Sequence, residues 1–155
     1  METSMPEVFR VLESFPIFQD LPWRDRANLG RYLLFCAWPG GEVIFEEGEH
    51  SHFLLFLSEG EVSVQQRDKS RRIQELAVVS GHATLGESAF IGNEPRSTTA
   101  VAKTSVVGLI LTRERYDELC RQDPPLANLF LRKMNRLLAL KLRKASKEYA
   151  ELKPD

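Results

Sequence analysis

The residues best suited to binding chemistry lie between positions 81 and 101, in the stretch GHATLGESAFIGNEPRSTTAV. Arg96 follows Pro95, whose ring restricts the local backbone. An enclosed guanidinium can hold two oxygens of an anion through a planar pair of charge-assisted hydrogen bonds. Gly86 permits a tight approach of backbone to ligand. These residue types in this order indicate a site for a small anion.

The residues on either side of Arg96 supply further polar groups. Residues 87–90 are predicted to form one helical turn whose free N–H groups face a bound phosphate, with Ser88 and Ala89 as backbone donors. Ser97 and Thr98 can add hydroxyl contacts, although short hydroxylated residues also fill turns and strand edges. The sequence therefore predicts a phosphate site built from one short, continuous segment.

This segment resembles the phosphate-binding cassette of cyclic nucleotide-binding domains, in which Gly-Glu-x-Ala is followed by Pro-Arg and small residues. The spacing from Glu87 to Arg96 is similar to that of the kinase regulatory-subunit type. The segments PGGEVIFEEG (39–48) and LFLSEG (55–60) also resemble that family, which includes catabolite-activator-like regulators. The resemblance covers nearly the whole chain, as a stand-alone form of the domain.

The resemblance implies a cassette over residues 86–99, with Arg96 on the phosphate and Glu87 accepting from the ribose 2′-hydroxyl. The ligand would be cyclic AMP or cyclic GMP, and the sequence does not choose between them. We expect a regulatory sensor in signal transduction with no catalytic residue, metal or cofactor, which relays occupancy through its C-terminal helix. The expected ligand-binding residues are Gly86, Glu87, Ser88, Ala89, Pro95, Arg96, Ser97 and Thr98.

The elements around this segment are predicted to form a single domain over residues 1–155, mainly β with flanking helices. A helical lead over 6–35 is followed by short strand-like runs with regular glycine punctuation, which are typical of an antiparallel, jelly-roll-like β-roll over 36–111. C-terminal helices occupy 112–152. Thr112 is the expected N-cap of the first, which leaves Arg113 facing solvent.

Asp123-Pro124-Pro125 breaks the chain and starts the last helix, which then continues without internal Gly or Pro until Pro154. Apolar residues at steps of three and four predict a seam along one face. Because this seam is longer than a small β core can cover, it motivates a homodimer, with packing back on the β-roll as the alternative. We also expect ligand to order residues 126–142. The seam residues are Leu131, Met134, Leu138, Leu142, Ala145, Tyr149 and Leu152.

Length, net charge and cysteine content limit the classes of protein to which the chain can belong. The chain has 155 residues and a formal net charge of −1, which suits one domain and argues against general attraction to nucleic acid. No signal peptide or membrane span is predicted, and Cys36 and Cys120 are expected to be reduced, so a cytoplasmic protein follows. An effector protein would act in trans.

Three alternatives remain at this point. His50 and His52 share a strand face and could ligate metal in a cupin-like enzyme, but the other ligands of such a site are missing from their expected places. The basic final helix suggests DNA or membrane contact, yet no helix-turn-helix follows it. Arg132, Asn135 and Arg136 are instead candidates for contacting the base. The third alternative is a ligand-free interaction scaffold.

Overall fold

The computed structural model describes residues 5–154, in which helices flank two β-sheets. The N-terminal helices are α1 (Met5–Glu13) and α2 (Trp23–Gly30), with a 3-10 turn at Pro16–Phe18 between them. The strands are β1 (Leu34–Trp38), β2 (Val43–Phe45), β3 (Phe53–Glu59), β4 (Glu61–Arg67), β5 (Ile73–Ser80), β6 (Thr84–Leu85), β7 (Thr99–Ala102) and β8 (Val106–Thr112). The remaining helices are α3 (Glu87–Gly92), α4 (Arg113–Gln122) and α5 (Pro124–Leu152).

Each sheet has four strands, in the orders β1-β8-β3-β6 and β2-β7-β4-β5, and neighbouring strands are antiparallel. The predicted antiparallel β-roll between N-terminal helices and a long C-terminal helix is confirmed. The short α3 lies between β6 in the first sheet and β7 in the second. The cassette is therefore placed where the chain passes from one sheet to the other.

Strand β3 shows why the first sheet is the centre of the molecule. Leu54 and Phe56 belong to a cluster shared with the helices, whereas Leu55 and Leu57 belong to a second cluster between the two sheets. All four side chains are fully buried. Since successive residues of a strand face opposite sides, a continuous apolar run is what a strand covered on both faces requires.

Some elements differ from the sequence-based prediction. The second N-terminal helix ends at Gly30, and Leu34 and Phe35, which were expected in the helical lead, begin β1 instead. The predicted strand-like runs were 42–45, 52–57, 61–65, 73–79 and 105–111, so β1, β6 and β7 were not predicted as strands. Strands β6 and β7 are short, and their register comes from pairing with β3, β2 and β4. Hydrogen bonds to distant strands override local propensity at such positions.

The C-terminal helices begin as predicted. The Thr112 side chain accepts from the Arg115 N–H, and that of Asp123 accepts from the Leu126 N–H, with proline in the first turn of α5. Cys36 and Cys120 are half-buried, each beside a different apolar cluster. Within residues 5–154, no helix has the length and apolar composition needed to cross a membrane.

The face of α5 that packs on the domain differs from the predicted seam. The buried residues are Leu126, Ala127, Phe130 and Met134, of which only Met134 belongs to the seam. Further along the helix, Leu142, Tyr149 and Leu152 are 68%, 69% and 82% exposed. The first part of α5 thus completes the core, and the second part projects an uncovered apolar face.

Candidate functional site

Arg96 is held by backbone pairing with the loop after β2. Its N–H donates to the Glu49 carbonyl, and its carbonyl accepts from the Gly48 N–H, each at 2.8 Å. Pro95 forms an isolated bridge with His50 and is itself exposed. These contacts explain how a residue in a surface loop directs its side chain inward.

The Arg96 guanidinium lies in the interior, with the residue only 3% exposed. One terminal nitrogen donates to the Gly86 carbonyl at 3.2 Å, and the other donates to the Phe53 carbonyl. The group stacks on the rings of Phe45 and Phe53, at 4.2 and 5.1 Å from their centroids. Its Nε has no partner within the part of the chain that the structure describes.

The charge of Arg96 is poorly compensated. Burial lowers its pKa to about 10, and the positive charge of Arg113 adds to this shift, whereas the negative charges of Glu49 and Glu87 oppose it. None of the ion pairs found among residues 5–154 involves Arg96. The group is still protonated at neutral pH, and a buried cation without a direct ion pair is costly, so this site favours an anion.

Gly86 is required by its contact with Arg96. It precedes α3 with φ of +78°, in the left-handed region, and a Cβ built there would lie 2.2 Å from an Arg96 terminal nitrogen. Any side chain would therefore meet both backbone strain and a collision. Glycine lets the guanidinium lie directly against the start of α3.

The predicted ligand-binding residues, apart from the exposed Pro95, line a single cavity of about 180 Å³. Ser88 and Ser97 lie at its exposed rim, whereas Glu87 and Ala89 are buried. Thr99, at the end of the predicted cassette, contributes instead to a larger groove of about 500 Å³ on the second sheet. Arg96 does not line that groove. We therefore take the smaller cavity as the candidate anion site, because it contains the buried positive charge.

Lys141 of α5 also lines this cavity, and sequence analysis did not single it out. Its Nζ pairs with Glu87 Oε1 and donates to the Thr84 carbonyl at 2.9 Å. The predicted base-contacting candidates Arg132, Asn135 and Arg136 are exposed and do not line the cavity. The position of Lys141 depends on the path of α5 across the domain, so no local sequence signal could have identified it.

Arg113 was expected to face solvent, and this expectation is wrong. Its guanidinium donates to the Phe90 carbonyl at 2.7 Å and to the Ser51 carbonyl at 3.2 and 3.3 Å, and it stacks on the Phe90 ring. The buried Ser51 hydroxyl in turn donates to the Ala89 carbonyl at 3.0 Å. Arg113 and Ser51 therefore fix α3 to the loop before β3 and to the start of α4.

The histidines flanking Ser51 have a different environment. His50 and His52 are exposed, with ring centroids 5.0 Å apart. Across residues 5–154 there is no group of three or more His, Cys, Asp or Glu side chains arranged to hold a metal ion. The segment acts structurally through Ser51, whose side chain is fully buried.

Comparisons with known proteins find relatives of this chain in sequence and in structure. Two relatives are the cyclic nucleotide-gated potassium channel of Mesorhizobium japonicum, 31% identical over 79% of this chain, and the CRP-like cAMP-activated global transcriptional regulator of Mycobacterium tuberculosis, 25% identical over 92%. The chain spans 32% of the channel and 62% of the regulator. The similarity therefore concerns one part of each relative.

Similarity in structure extends further along the chain than the similarity to the channel. A cyclic nucleotide-binding domain from Methylobacillus flagellatus has a TM-score of 0.82 and 25% identity, covering 97% of this chain and 85% of that one. The family model described as "Cyclic nucleotide-binding domain" matches residues 36–123, more than half of the chain. The match contains every predicted cassette residue, and the chain belongs to the cyclic nucleotide-binding domain family.

Proposed function

We propose that this chain binds a cyclic mononucleotide, cyclic AMP or cyclic GMP, as a regulatory sensor without catalytic activity. The observation that carries the proposal is the buried Arg96 guanidinium, which faces the cavity without a carboxylate partner among the described residues. A cyclic phosphodiester carries one negative charge, and it can accept charge-assisted hydrogen bonds from this group. No metal or cofactor is needed for such binding.

The other groups of the cavity suit the rest of such a ligand. Glu87 is buried beside Arg96, where a carboxylate can accept from a ribose hydroxyl. The N–H groups in the first turn of α3 have no partners within the helix, and residues of this turn line the same cavity as Arg96. The chemistry of these groups therefore matches a ligand with both a phosphate and a ribose better than a simple anion.

Occupancy of the site would be relayed through α5. The helix contributes Lys141 to the cavity and continues to Leu152, so it links the cassette to a surface available to other molecules. We assign the exposed apolar face after Lys141 to a homodimer or an effector protein in trans, because large uncovered apolar surfaces usually mark interaction sites. The proposed setting of this relay is the cytoplasm.

Isothermal titration calorimetry of the purified chain with cyclic AMP, cyclic GMP and the non-cyclic 5′-monophosphates tests the proposal. We expect saturable binding of at least one cyclic nucleotide, with the non-cyclic forms weaker, and no hydrolysis of the cyclic diester. Absence of heat with both cyclic nucleotides, from a chain with a cooperative thermal transition, would instead support the ligand-free scaffold. Turnover that Arg96→Ala abolishes would refute the sensor assignment.

A further inference from the structure

The turn between β4 and β5 carries a dense group of basic side chains. β5 is the outermost strand of the second sheet, and seven of its eight residues are exposed, so the turn lies at the end of an exposed hairpin. We call residues 67–73 the basic turn, because they include four exposed cations, Arg67, Lys69, Arg71 and Arg72. None of the ion pairs among the described residues involves them, so their charges are free to meet an anionic partner.

The backbone of the basic turn is paired within the turn itself. The Asp68 N–H donates to the Arg72 carbonyl, and the Arg71 N–H donates to the Asp68 carbonyl, each at 2.9 Å. One carboxylate oxygen of Asp68 accepts from the Ser70 and Arg72 N–H groups, at 2.8 and 2.9 Å. The Gln74 side chain donates to the other oxygen at 3.2 Å. These bonds fix the shape of the turn, and they leave few of its backbone donors unpaired where water is scarce.

The loop at the tip of the basic turn stays positive despite nearby carboxylates. Glu46 and Glu47 line a groove with Arg67, and Glu47 Oε2 accepts from the Arg67 N–H at 3.3 Å, so these carboxylates offset that cation. Glu75 lies further along β5 and accepts from a β4 hydroxyl at 2.6 Å. The three remaining cations face only the Asp68 carboxylate within the loop. The tip is therefore a positive patch on a chain whose net charge is −1.

An exposed aliphatic side chain lies beside these cations. Ile73 pairs with Arg67 across the hairpin, as the last pair before the loop, and it is 64% exposed. Leu76 and Val78 are also exposed, but they lie about 10 and 17 Å further along the strand. Apolar side chains at a membrane surface enter to a depth of about 5–10 Å. Ile73 is therefore the apolar group that can reach such an interface together with the loop.

These features match an anionic lipid surface better than nucleic acid. Phospholipid headgroups attract clustered Lys and Arg side chains, and the interface below them accepts an aliphatic side chain. Proteins that bind single-stranded nucleic acid commonly add stacking aromatic rings, and the basic turn has none. A plane of headgroups also requires no cleft that matches the loop.

We propose that the basic turn docks this domain on an anionic phospholipid surface, with the three cations of the loop against the headgroups and Ile73 in the interface. The turn shares no residue with the cavity that contains Arg96, so this role goes beyond the proposed function. It is also separate from the basic residues of α5. In the proposed cytoplasmic setting, the surface is that of an inner leaflet, whose anionic lipids carry a negative potential.

Co-sedimentation of the nucleotide-free chain with vesicles tests the docking. On vesicles with about 30% phosphatidylglycerol in phosphatidylcholine, we expect binding about 100-fold stronger than on phosphatidylcholine alone, because each of the three cations adds about fivefold. An ionic strength of about 0.5 M should remove most of this difference. Equal binding to both kinds of vesicle at low salt would overturn the proposal.

Matched charge variants locate the effect. A loop variant replaces the three cations by glutamine, as Lys69→Gln, Arg71→Gln and Arg72→Gln. A control variant makes the same change at three exposed basic residues of α5, Arg143, Lys144 and Lys147. The loop variant should bind anionic vesicles little better than phosphatidylcholine, whereas the control should bind like the wild type. Equal losses in both would show that only net charge matters, and the specific site would be wrong.

Single substitutions test the apolar contact. Ile73→Ser should weaken binding to anionic vesicles by about 3- to 10-fold, because it removes the side chain that enters the interface. Leu76→Ser changes a residue that is 56% exposed but further from the loop, and it should have no effect. Equal effects of the two substitutions would overturn the proposed orientation.

A DNA duplex of about 20 base pairs, at the same ionic strength, separates lipid from nucleic acid. Binding to the duplex without binding to vesicles would assign the loop to nucleic acid and overturn the proposal. Because every substituted residue is exposed, all variants should keep the wild-type thermal transition. These assays contain no nucleotide, so their failure leaves the proposed function intact, and failure of nucleotide binding leaves the docking intact.

Discussion

The cassette and the part of α5 beyond Met134 contribute to one cavity. The cassette is held by many contacts, whereas this part of α5 is held by few. Arg96 is fixed by backbone pairing, two carbonyl acceptors and two aromatic rings. Beyond Met134, no residue of α5 is fully buried, and the contact with the cassette is made through Lys141. The groups proposed to bind ligand are held by many contacts, whereas the segment proposed to report occupancy is weakly held, as regions that move in allostery generally are.

Substitution of Arg96 in the cassette should have the largest effect on cyclic nucleotide affinity. Arg96→Ala deletes one partner of an enclosed charge pair, which costs about 2–5 kcal/mol, so cyclic nucleotide affinity should fall by roughly 30- to several-thousand-fold. Arg96→Lys keeps the charge but loses the planar pair of donors, so its affinity should lie between those of the wild type and Arg96→Ala. Calorimetry provides the measurement. A variant that binds like the wild type and retains its thermal transition would show that the cassette is not the phosphate site.

Loosening the support of α3 should have the next largest effect. Arg113→Ala leaves the Phe90 and Ser51 carbonyls without their guanidinium donor, which should lower the free energy of unfolding by about 1.5–3 kcal/mol. Because these contacts hold α3 in place, cyclic nucleotide affinity should fall by roughly 10- to 100-fold. The control is Arg115→Ala; the Arg115 side chain is 44% exposed and, among residues 5–154, pairs only with Glu118. Urea denaturation and calorimetry on both variants decide the matter, and equal effects would refute a specific role for Arg113.

Changing the ribose contact should have a smaller effect. Glu87→Gln removes the charge but keeps an acceptor, so we expect binding of the ribose nucleotide to weaken by about 3- to 10-fold. The 2′-deoxy analogue, which lacks the hydroxyl, should lose less. A competition assay with both ligands measures this difference, and equal losses would remove the ribose assignment from Glu87.

Substitutions at the exposed end of α5 should affect folding least. Leu142→Glu and Tyr149→Glu replace side chains that are 68% and 69% exposed, so each should change the free energy of unfolding by less than about 0.5 kcal/mol. If this face pairs with a second copy, the double variant should be a monomer under conditions where the wild type is a dimer. Light scattering at micromolar concentration measures both, and a monomeric wild type would reject the homodimer.

Local sequence was sufficient to predict features in which a residue interacts with atoms only a few positions away. Gly86 before a helical turn, the Thr112 cap and the proline start of α5 all involve atoms a few residues apart, and the structure has the Thr112 cap where it was predicted. The β-roll was predictable because short apolar runs separated by glycines have few other solutions. The segment 86–99 was identified by its resemblance to the cassette of a known family, and that resemblance also depends on residue order and spacing within one segment.

Contacts between distant parts of the chain were decided by the tertiary structure. Arg113 follows a helix cap, and only the packing of α4 beside α3 and the loop before β3 draws it inward. Lys141 is one of several basic residues on α5, and the direction of that helix across the domain alone distinguishes it. The sequence by itself determined the residue types and local turns of the cassette. The tertiary structure decided which distant charges surround it, because the periodicity of a helix specifies its faces but not the neighbours they meet.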